Sequence, residues 1–175
     1  MNFIKLEFNA TECNGWPKIN VLLDNDLYQE YQFTNDTAII QLPVDLLDGE
    51  HTLAVELVGK NVNNTMVDST GTIVGDQLVE LLAMYVDNVR LTDFFRYNGI
   101  YTTNTGQVLL RATKWGFNGV WELKFKTPLI TWVLDEQIKE VESHDFTGIP
   151  YHIYTQDMIA DMEKITAELD KIKNV

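Results

Sequence analysis

The sequence predicts a mainly β protein, an antiparallel β-sandwich that is jelly-roll-like, followed by a short C-terminal amphipathic helix. Apolar and polar residues alternate in segments that recur about every ten residues, and turn-forming residues separate these segments. From Thr155 the apolar period lengthens from two residues to about three and a half, which is typical of a helix with one apolar side. We therefore expect a sandwich over residues 1–134, a connector over 135–154 and a helix over 155–175.

Length and charge limit the classes of function. The chain has 175 residues, the size of one domain, and 45% of them are hydrophobic, as in folded globular proteins. The net charge is −13, with 14 acidic and 3 basic residues in the first 87 positions and 12 and 10 in the remainder. This charge repels phosphate and anionic lipid, so we expect no nucleic-acid partner. We also expect no membrane association, because no apolar run reaches the roughly 18 residues of a membrane span.

The cysteine content and the first residues indicate the compartment. Cys13 is the single cysteine, which excludes an intrachain disulfide and a cysteine-rich zinc site. Residues 3–8 alternate like a strand, and they lack the basic region, apolar run and cleavage site of a secretion signal. We therefore expect a chain that is made in the cytoplasm and is not secreted.

Short strands are predicted in the first 45 residues at 3–8, 19–23, 27–33 and 37–42. Clusters of residues that tolerate turn geometry separate them, including Asp24-Asn25-Asp26. The spacing is typical of an antiparallel meander.

The clearest strand in the first half covers residues 51–57, with an inward face that starts at His51. Residues 59–75 then form a long polar loop with a small hairpin at 69–72. Residues 77–91 are mostly apolar and match either a strand or one face of a helix, and we favour the strand. Their alternation changes phase at Asp87-Asn88, which predicts a bulge or turn there.

The best hairpin signal pairs residues 108–115 with residues 119–127. Gly116-Phe117-Asn118-Gly119 joins the two segments and supplies residues that accept positive φ angles. In the second segment Trp121, Leu123 and Phe125 are predicted to face inward. Pro128 then ends regular pairing.

An apolar stripe at helical spacing occupies the last 21 residues. Its members are Met158, Met162, Ile165, Leu169 and Ile172, spaced as in a coiled-coil seam. A lone helix of about 18 residues is marginal in water, so the stripe must be buried against another surface. That surface is the helix's own domain, another chain or a groove on a different protein. We predict that the stripe is the main protein–protein contact.

No arrangement of residues predicts a catalytic centre. His51, His144 and His152 do not stand at a specific metal-ligand spacing. The sequence contains no Gly-x-Gly-x-x-Gly, no Walker loop and no Gly-x-Ser-x-Gly. We therefore predict a protein that is not an enzyme and requires no cofactor.

Two sets of residues are candidates for ligand binding. Acidic side chains of the first half offer the oxygen ligands that calcium prefers, either at Asp24-Asn25-Asp26 or at Asp68, Asp76 and Asp87. Aromatic side chains in or beside loops can stack on sugar rings, and the candidates are Trp16, Tyr97, Tyr101, Trp115 and Phe117. The alternative for both sets is structural: solvated acids in turns, and aromatic side chains in the core.

Several segments resemble a known family. The sequences DGEHTLAVELVGK at 48–60, VDSTGTI at 67–73 and YVDNVRL at 85–91 resemble β-sandwich carbohydrate-binding modules of the calcium-dependent, xylan-binding type. More narrowly, they resemble small virion proteins of tailed bacteriophages that carry this module. Residues 118–128 and 130–134 are similar to the C-terminal part of those phage proteins. The resemblance covers residues 48–134, and it implies a sandwich fold with calcium and glycan as candidate ligands.

From this resemblance we expect a non-enzymatic structural protein of a tailed-phage virion. It would decorate the head, neck or tail, assemble with other virion proteins and copies of itself, and reach the virion from the host cytoplasm. The alternative is a calcium-dependent carbohydrate-binding adhesion module that contacts a glycan on the host surface.

Overall fold

The computed structural model describes residues 2–44, 46–86, 89–91, 98–128, 131–132 and 134–135. The chain divides into two compact units, Met1–Leu134 and Asp135–Val175. Three predictions lie outside the described residues. They concern the connector over 135–154 beyond its first residue, the helix over 155–175 with its stripe from Met158 to Ile172, and the roles of Asp87 and Tyr97.

The described part of the chain is mainly β, as the sequence predicts. A short 3-10 turn covers Val62–Asn64. The strands are β1 Asn2–Thr11, β2 Lys18–Leu23, β3 Asp26–Gln32, β4 Thr37–Val44, β5 Gly49–Val58, β6 Thr65–Val67, β7 Ile73–Asp76, β8 Leu78–Val86, β9 Val89–Arg90, β10 Ile100–Thr103, β11 Val108–Leu110, β12 Lys114–Trp115 and β13 Gly119–Thr127.

Within the described ranges the strands form two antiparallel sheets and a separate hairpin. Sheet I has the order β12-β8-β1-β4, with β9 paired to β8. Sheet II has the order β11-β10-β13-β5-β2-β3. Strands β6 and β7 form the hairpin.

The core lies between the inward faces of sheets I and II, where alternate residues are buried. Ile4, Leu6 and Phe8 of β1 and Leu53 and Val55 of β5 are at most 1% exposed. All belong to a single apolar cluster. Burying each such side chain stabilises the fold by about 1.5–3 kcal/mol, so the two-residue period of the sequence selects a sandwich.

The first turn forms as predicted, but the meander does not. Asp24 and Asn25 adopt positive φ angles of 53° and 70°, the geometry of a tight hairpin turn between β2 and β3. Strand β4 then leaves sheet II and pairs with β1 in sheet I. Alternation specifies which face of a strand is buried, and it does not specify the neighbouring strand.

Residues 78–86 form a strand, as favoured over the helix. Val86 pairs with Val89, so β8 and β9 flank the turn predicted at Asp87-Asn88, two residues that lie outside the described ranges. A further phase change lies earlier in β8. Glu7 of β1 pairs with Ala83, whereas Phe8 pairs with Leu81. This bulge leaves Leu82 facing outward, 38% exposed, and returns the following residues to the core.

The predicted hairpin between 108–115 and 119–127 is wrong. Strand β11 pairs with β10 in sheet II, β12 pairs with β8 in sheet I, and β13 returns to sheet II between β10 and β5. The crossing buries Trp115, whose ring stacks on Tyr101 at 5.3 Å between centroids. The inward face predicted for β13 is confirmed, since Trp121 and Phe125 are at most 1% exposed.

Candidate functional site

A groove of about 620 Å³ crosses the outer face of sheet II. Cross-strand pairing places Asn20, Glu56, Val120 and Thr102 in one row across β2, β5, β13 and β10. These residues alternate with the buried ones, so their side chains point away from the core.

The groove combines apolar side chains with hydrogen-bonding ones. Leu22, Ala54 and Val120 supply apolar surface, while Glu56 and Glu122 supply carboxylates. Carboxylates accept hydrogen bonds from hydroxyl groups, and methyl and methylene groups pack against C–H surface. The groove is therefore suited to a ligand that carries both.

Asn20 orients one of these carboxylates. Its Nδ2 donates to Glu56 Oε2 at 2.9 Å. Its Oδ1 is buried and has no hydrogen-bond partner in the part of the chain that the structure describes. A buried acceptor without a partner costs about 1–3 kcal/mol, so Asn20 contributes to the shape of this face at some cost in stability.

One end of the groove is fixed by a reciprocal pair of hydrogen bonds. The Lys60 backbone N donates to Asn118 Oδ1 at 2.9 Å, and Asn118 Nδ2 donates to the Lys60 carbonyl oxygen at 2.7 Å. Asn118 and Gly59 both line the groove. The pair therefore holds the loop before β13 against the end of β5.

The side chain of Lys60 lies beneath this end, and its ammonium group is surrounded by oxygen atoms. Nζ donates to Asp76 Oδ1 at 2.6 Å, to the Gln77 carbonyl at 2.8 Å and to the Gly116 carbonyl at 2.5 Å. The Lys60 side chain is 7% exposed. An ammonium group has three hydrogens to donate, and these three oxygens accept them. We call this arrangement the Lys60 cage.

Gly116 leaves room for the side chains beside the cage. A Cβ atom there would lie 2.9 Å from Leu78 Cδ2 and 3.1 Å from Asp76 Oδ2. A larger residue would therefore displace the ends of the Leu78 and Asp76 side chains.

The structure does not bring together Asp68 and Asp76, the two described members of one predicted calcium set. Asp76 pairs with Lys60 and also accepts a hydrogen bond from Thr65 Oγ1 at 2.6 Å. Asp68 lies at the turn of the β6–β7 hairpin, whereas Asp76 pairs with Thr65 at its other end, three residues or roughly 10 Å away along the strand. Within the described ranges no group of three or more His, Cys, Asp or Glu side chains could hold a metal ion.

Asp68 stabilises its own turn. Its Oδ1 accepts hydrogen bonds from the Thr70 hydroxyl at 2.6 Å, the Thr70 backbone N at 2.8 Å and the Thr72 backbone N at 3.0 Å. The bond from the Thr70 side chain contributes most to a lowered pKa of Asp68. This carboxylate therefore serves the turn that it occupies.

The four candidate aromatic residues that the structure describes do not form a surface platform. Tyr101 and Trp115 are core residues, 0% and 1% exposed, and Trp16 is half-buried against the core. The Tyr101 hydroxyl donates to the Phe117 carbonyl, and burial raises the pKa of Tyr101. Phe117, at 64%, is exposed.

His51 connects the β2–β3 turn with the segment before β5. Its Nδ1 contacts Asp24 Oδ2 at 2.8 Å, and its Nε2 contacts the Leu47 carbonyl at 2.9 Å. Because both partners are acceptors, the protonated ring satisfies them best. The hydrogen bond with Asp24 raises the pKa of His51 despite its burial. Burial opposes ionisation of Asp24, but the bonds from His51 and Thr52 outweigh it and lower the pKa of Asp24.

A second surface feature is the apolar hairpin, formed by β6 and β7. Met66, Val67, Ile73 and Val74 are between 49% and 61% exposed, and Val62 just before it is 88% exposed. Adjacent exposed apolar side chains of this kind are typical of contact surfaces.

Neither the groove nor the Lys60 cage is predicted by the sequence. The outward positions of Glu56 and Glu122 follow from alternation, but their neighbours depend on strand order. Only its scarcity marks Lys60 in the sequence, since the first 87 positions hold 3 basic residues and 14 acidic ones.

Among the described residues, no helical segment has the length and hydropathy of a membrane span.

Comparisons with known proteins give a match in fold. No protein-family model matches the chain, and no curated protein sequence matches it significantly. A selenomethionine form of vCBM60, from work linking two families of calcium-dependent carbohydrate-binding modules by circular permutation, matches with a TM-score of 0.50 and 12% identity. The match covers 70% of this chain and 90% of that one. vCBM60 in complex with galactobiose matches with a TM-score of 0.46 and 12% identity, over 69% and 96% of the two chains. The chain therefore has a sandwich fold like that of carbohydrate-binding modules.

Proposed function

We propose that this chain is a non-catalytic carbohydrate-binding module that holds a neutral glycan in the groove of sheet II. The observation that carries the proposal is the groove itself, which is open to solvent and lined by both apolar and hydrogen-bonding side chains. The fold match to vCBM60, whose complex contains galactobiose, supports the same class of ligand. This proposal keeps the carbohydrate-binding role of the calcium-dependent adhesion module, the alternative to the virion protein, but not its dependence on calcium.

The side chains of the groove complement the two surfaces of a sugar. C–H groups of the ring pack on Leu22, Ala54 and Val120, and hydroxyl groups donate to Glu56 and Glu122. A hydrogen bond to a charged acceptor contributes about 1.5–3 kcal/mol. Two carboxylates in a chain of net charge −13 repel sugar acids, so the expected ligand is uncharged.

Calcium does not fit the described residues of this chain as a ligand-bridging ion. The carboxylate of Asp76 is already neutralised by the ammonium group of Lys60, and Asp68 serves its own turn. We therefore propose that glycan binding here proceeds without calcium.

Isothermal titration calorimetry with galactobiose, neutral xylo-oligosaccharides and an oligogalacturonate tests the proposal. We expect binding of a neutral oligosaccharide, unchanged by EDTA, and no binding of the acidic one. Glu122→Gln should weaken binding about tenfold, because it removes a charged acceptor from the groove. Glu50→Gln is the matched control, since Glu50 is also an outward carboxylate on sheet II, is 80% exposed and lies outside the groove.

Three results would contradict the proposal. One is no binding of any neutral oligosaccharide. Another is equal affinity of the Glu122 and Glu50 variants. Release of reducing ends from a bound oligosaccharide would show an enzyme instead of a binding module.

A structural protein of a tailed-phage virion is the second candidate, and the apolar hairpin is the observation that favours it. Met66 and Val67 of β6 and Ile73 and Val74 of β7 present apolar surface suited to a contact with another virion protein or a second copy. Val67→Asp combined with Ile73→Asp should then reduce self-association in sedimentation velocity. A native particle that contains the chain, seen by electron microscopy, would place it in the virion.

The predicted helix has a separate test. Ile165→Asp with Leu169→Asp should leave the sandwich folded, as measured by circular dichroism, and abolish oligomerisation. If the double variant assembles normally, the stripe from Met158 to Ile172 is not the main protein–protein contact.

A further inference from the structure

The Lys60 cage has the composition of a metal site. One carboxylate oxygen from Asp76 and two backbone carbonyls, from Gln77 and Gly116, surround a single positive charge. We propose that Lys60 supplies a built-in cation to a cluster of oxygen atoms that would otherwise need a bound ion, and that removing its ammonium group leaves a weak calcium site. This inference stands whether or not the groove binds a glycan.

The ligands and distances suit either cation. Calcium binds carboxylate and carbonyl oxygens at about 2.3–2.6 Å, and the three oxygens lie 2.5 to 2.8 Å from Lys60 Nζ. Thr65 Oγ1 donates to Asp76 Oδ1 at 2.6 Å and holds that carboxylate in place. Calcium takes six to eight oxygen ligands, so water would complete the shell of an ion that replaced the ammonium group.

The cage joins segments that are distant in sequence. Lys60 follows β5, Asp76 ends β7 and Gln77 comes directly after it, and Gly116 follows β12. The bonds between Asn118 and the Lys60 backbone fix the base of the lysine side chain, so its ammonium group stays inside the cage. Cross-linking separate loops through oxygen ligands is what a structural calcium ion does, and Lys60 does it through its own side chain.

The first measurement uses the full wild-type chain. Its melting temperature should not change on addition of EDTA or of about 10 mM CaCl2, because the cage is already filled. Acetylation of surface amines, followed by mass spectrometry, should modify Lys126 and leave Lys60 unmodified in both buffers, since their side chains are 62% and 7% exposed.

The second measurement compares two substitutions. Lys60→Ala opens the cage, and it should lower the melting temperature by roughly 10 °C, because Asp76 loses its partner. About 10 mM CaCl2 should recover roughly 4 °C, as expected for a dissociation constant of about 1 mM. Lys60→Met is the matched control, since its side chain fills the cage without charge. It should be destabilised and gain nothing from calcium, as should Lys60→Ala combined with Asp76→Asn.

Several outcomes would overturn the inference. A wild-type melting temperature that falls with EDTA would mean that a metal ion already stabilises the fold. Equal responses of Lys60→Ala and Lys60→Met to calcium would place the ion elsewhere. If Lys60→Ala does not fold without calcium, folding in about 10 mM CaCl2 supports the inference, and failure in both buffers refutes it.

Discussion

The contact between His51 and Asp24 should make stability depend on pH. The pKa of His51 is raised, so the contact stabilises fully below the ordinary histidine value of about 6.5 and is lost as pH rises through the raised value. The pKa of Asp24 is lowered, so the contribution of its carboxylate to stability is present above about pH 3.8 and is lost as pH falls through the lowered pKa. The contact therefore stabilises most between about pH 4 and 6.5.

The size of this stabilisation follows from the solvent exposure of the two side chains. The His51 side chain is 12% exposed, but that of Asp24 is 46% exposed, so solvent screens the pair. Such a pair contributes about 1 kcal/mol at most, or roughly 2–4 °C in melting temperature for a chain of this length.

Asp24→Asn is the perturbation that isolates this contact. The amide oxygen can still accept from the Thr52 backbone N, as Asp24 Oδ1 does at 2.8 Å, and asparagine tolerates the φ angle of 53° at this position. Urea unfolding of both proteins at several pH values between 5 and 8 gives the slope of the free energy of unfolding against pH. Across this range the free energy of unfolding should fall by about 1 kcal/mol more in wild type than in the variant, and about 1 M NaCl should reduce the difference.

The comparison removes the contribution of other titrating groups, such as His144 and His152, because both proteins contain them. Asp26→Asn, which changes an exposed acid at the start of β3, controls for the change in net charge. The reasoning fails if Asp24→Asn keeps the wild-type slope, or if Asp26→Asn flattens the slope equally.

Two further predictions concern the loop between β12 and β13 and its neighbours. Gly119→Ala should lower the free energy of unfolding by about 2–4 kcal/mol in urea, because a Cβ atom would lie 2.4 Å from the Thr102 carbonyl oxygen. A loss of free energy of unfolding below about 0.5 kcal/mol would show that β10 and β13 can move apart locally without cost. Tyr101→Phe should cost about 1–3 kcal/mol, because it removes the donor to the Phe117 carbonyl from the core. An unchanged thermal midpoint would argue that water replaces this bond.

The sequence predicts the faces of strands better than their neighbours. Leu53 and Trp121 were assigned to the core from alternation, and both are 0% exposed. The placement of β12 was missed because nothing local to Trp115 indicates that its ring stacks on Tyr101, fourteen positions earlier in another sheet. Which face of a strand is buried depends on the nearest few residues, whereas the order of strands in a sheet depends on contacts across the whole chain.

The same limit applies to the candidate site. Asp76 is a reasonable metal ligand when its neighbours in sequence are considered. Its charge is neutralised by Lys60, sixteen positions away, through a geometry that also needs the Gly116 backbone. The groove likewise depends on Glu56 and Glu122 lying on adjacent strands, which only the pairing of β5 with β13 establishes.

Because the ammonium group of Lys60 is covalently part of the chain, its occupancy of the cage does not obey mass action with any solute. A free ion leaves when its concentration falls below its dissociation constant, whereas a tethered group keeps a high effective concentration at every dilution. The loops that meet at Lys60 therefore keep their arrangement in chelating or calcium-poor surroundings. The same tether prevents calcium from switching this end of the sandwich on or off, so its geometry is constitutive.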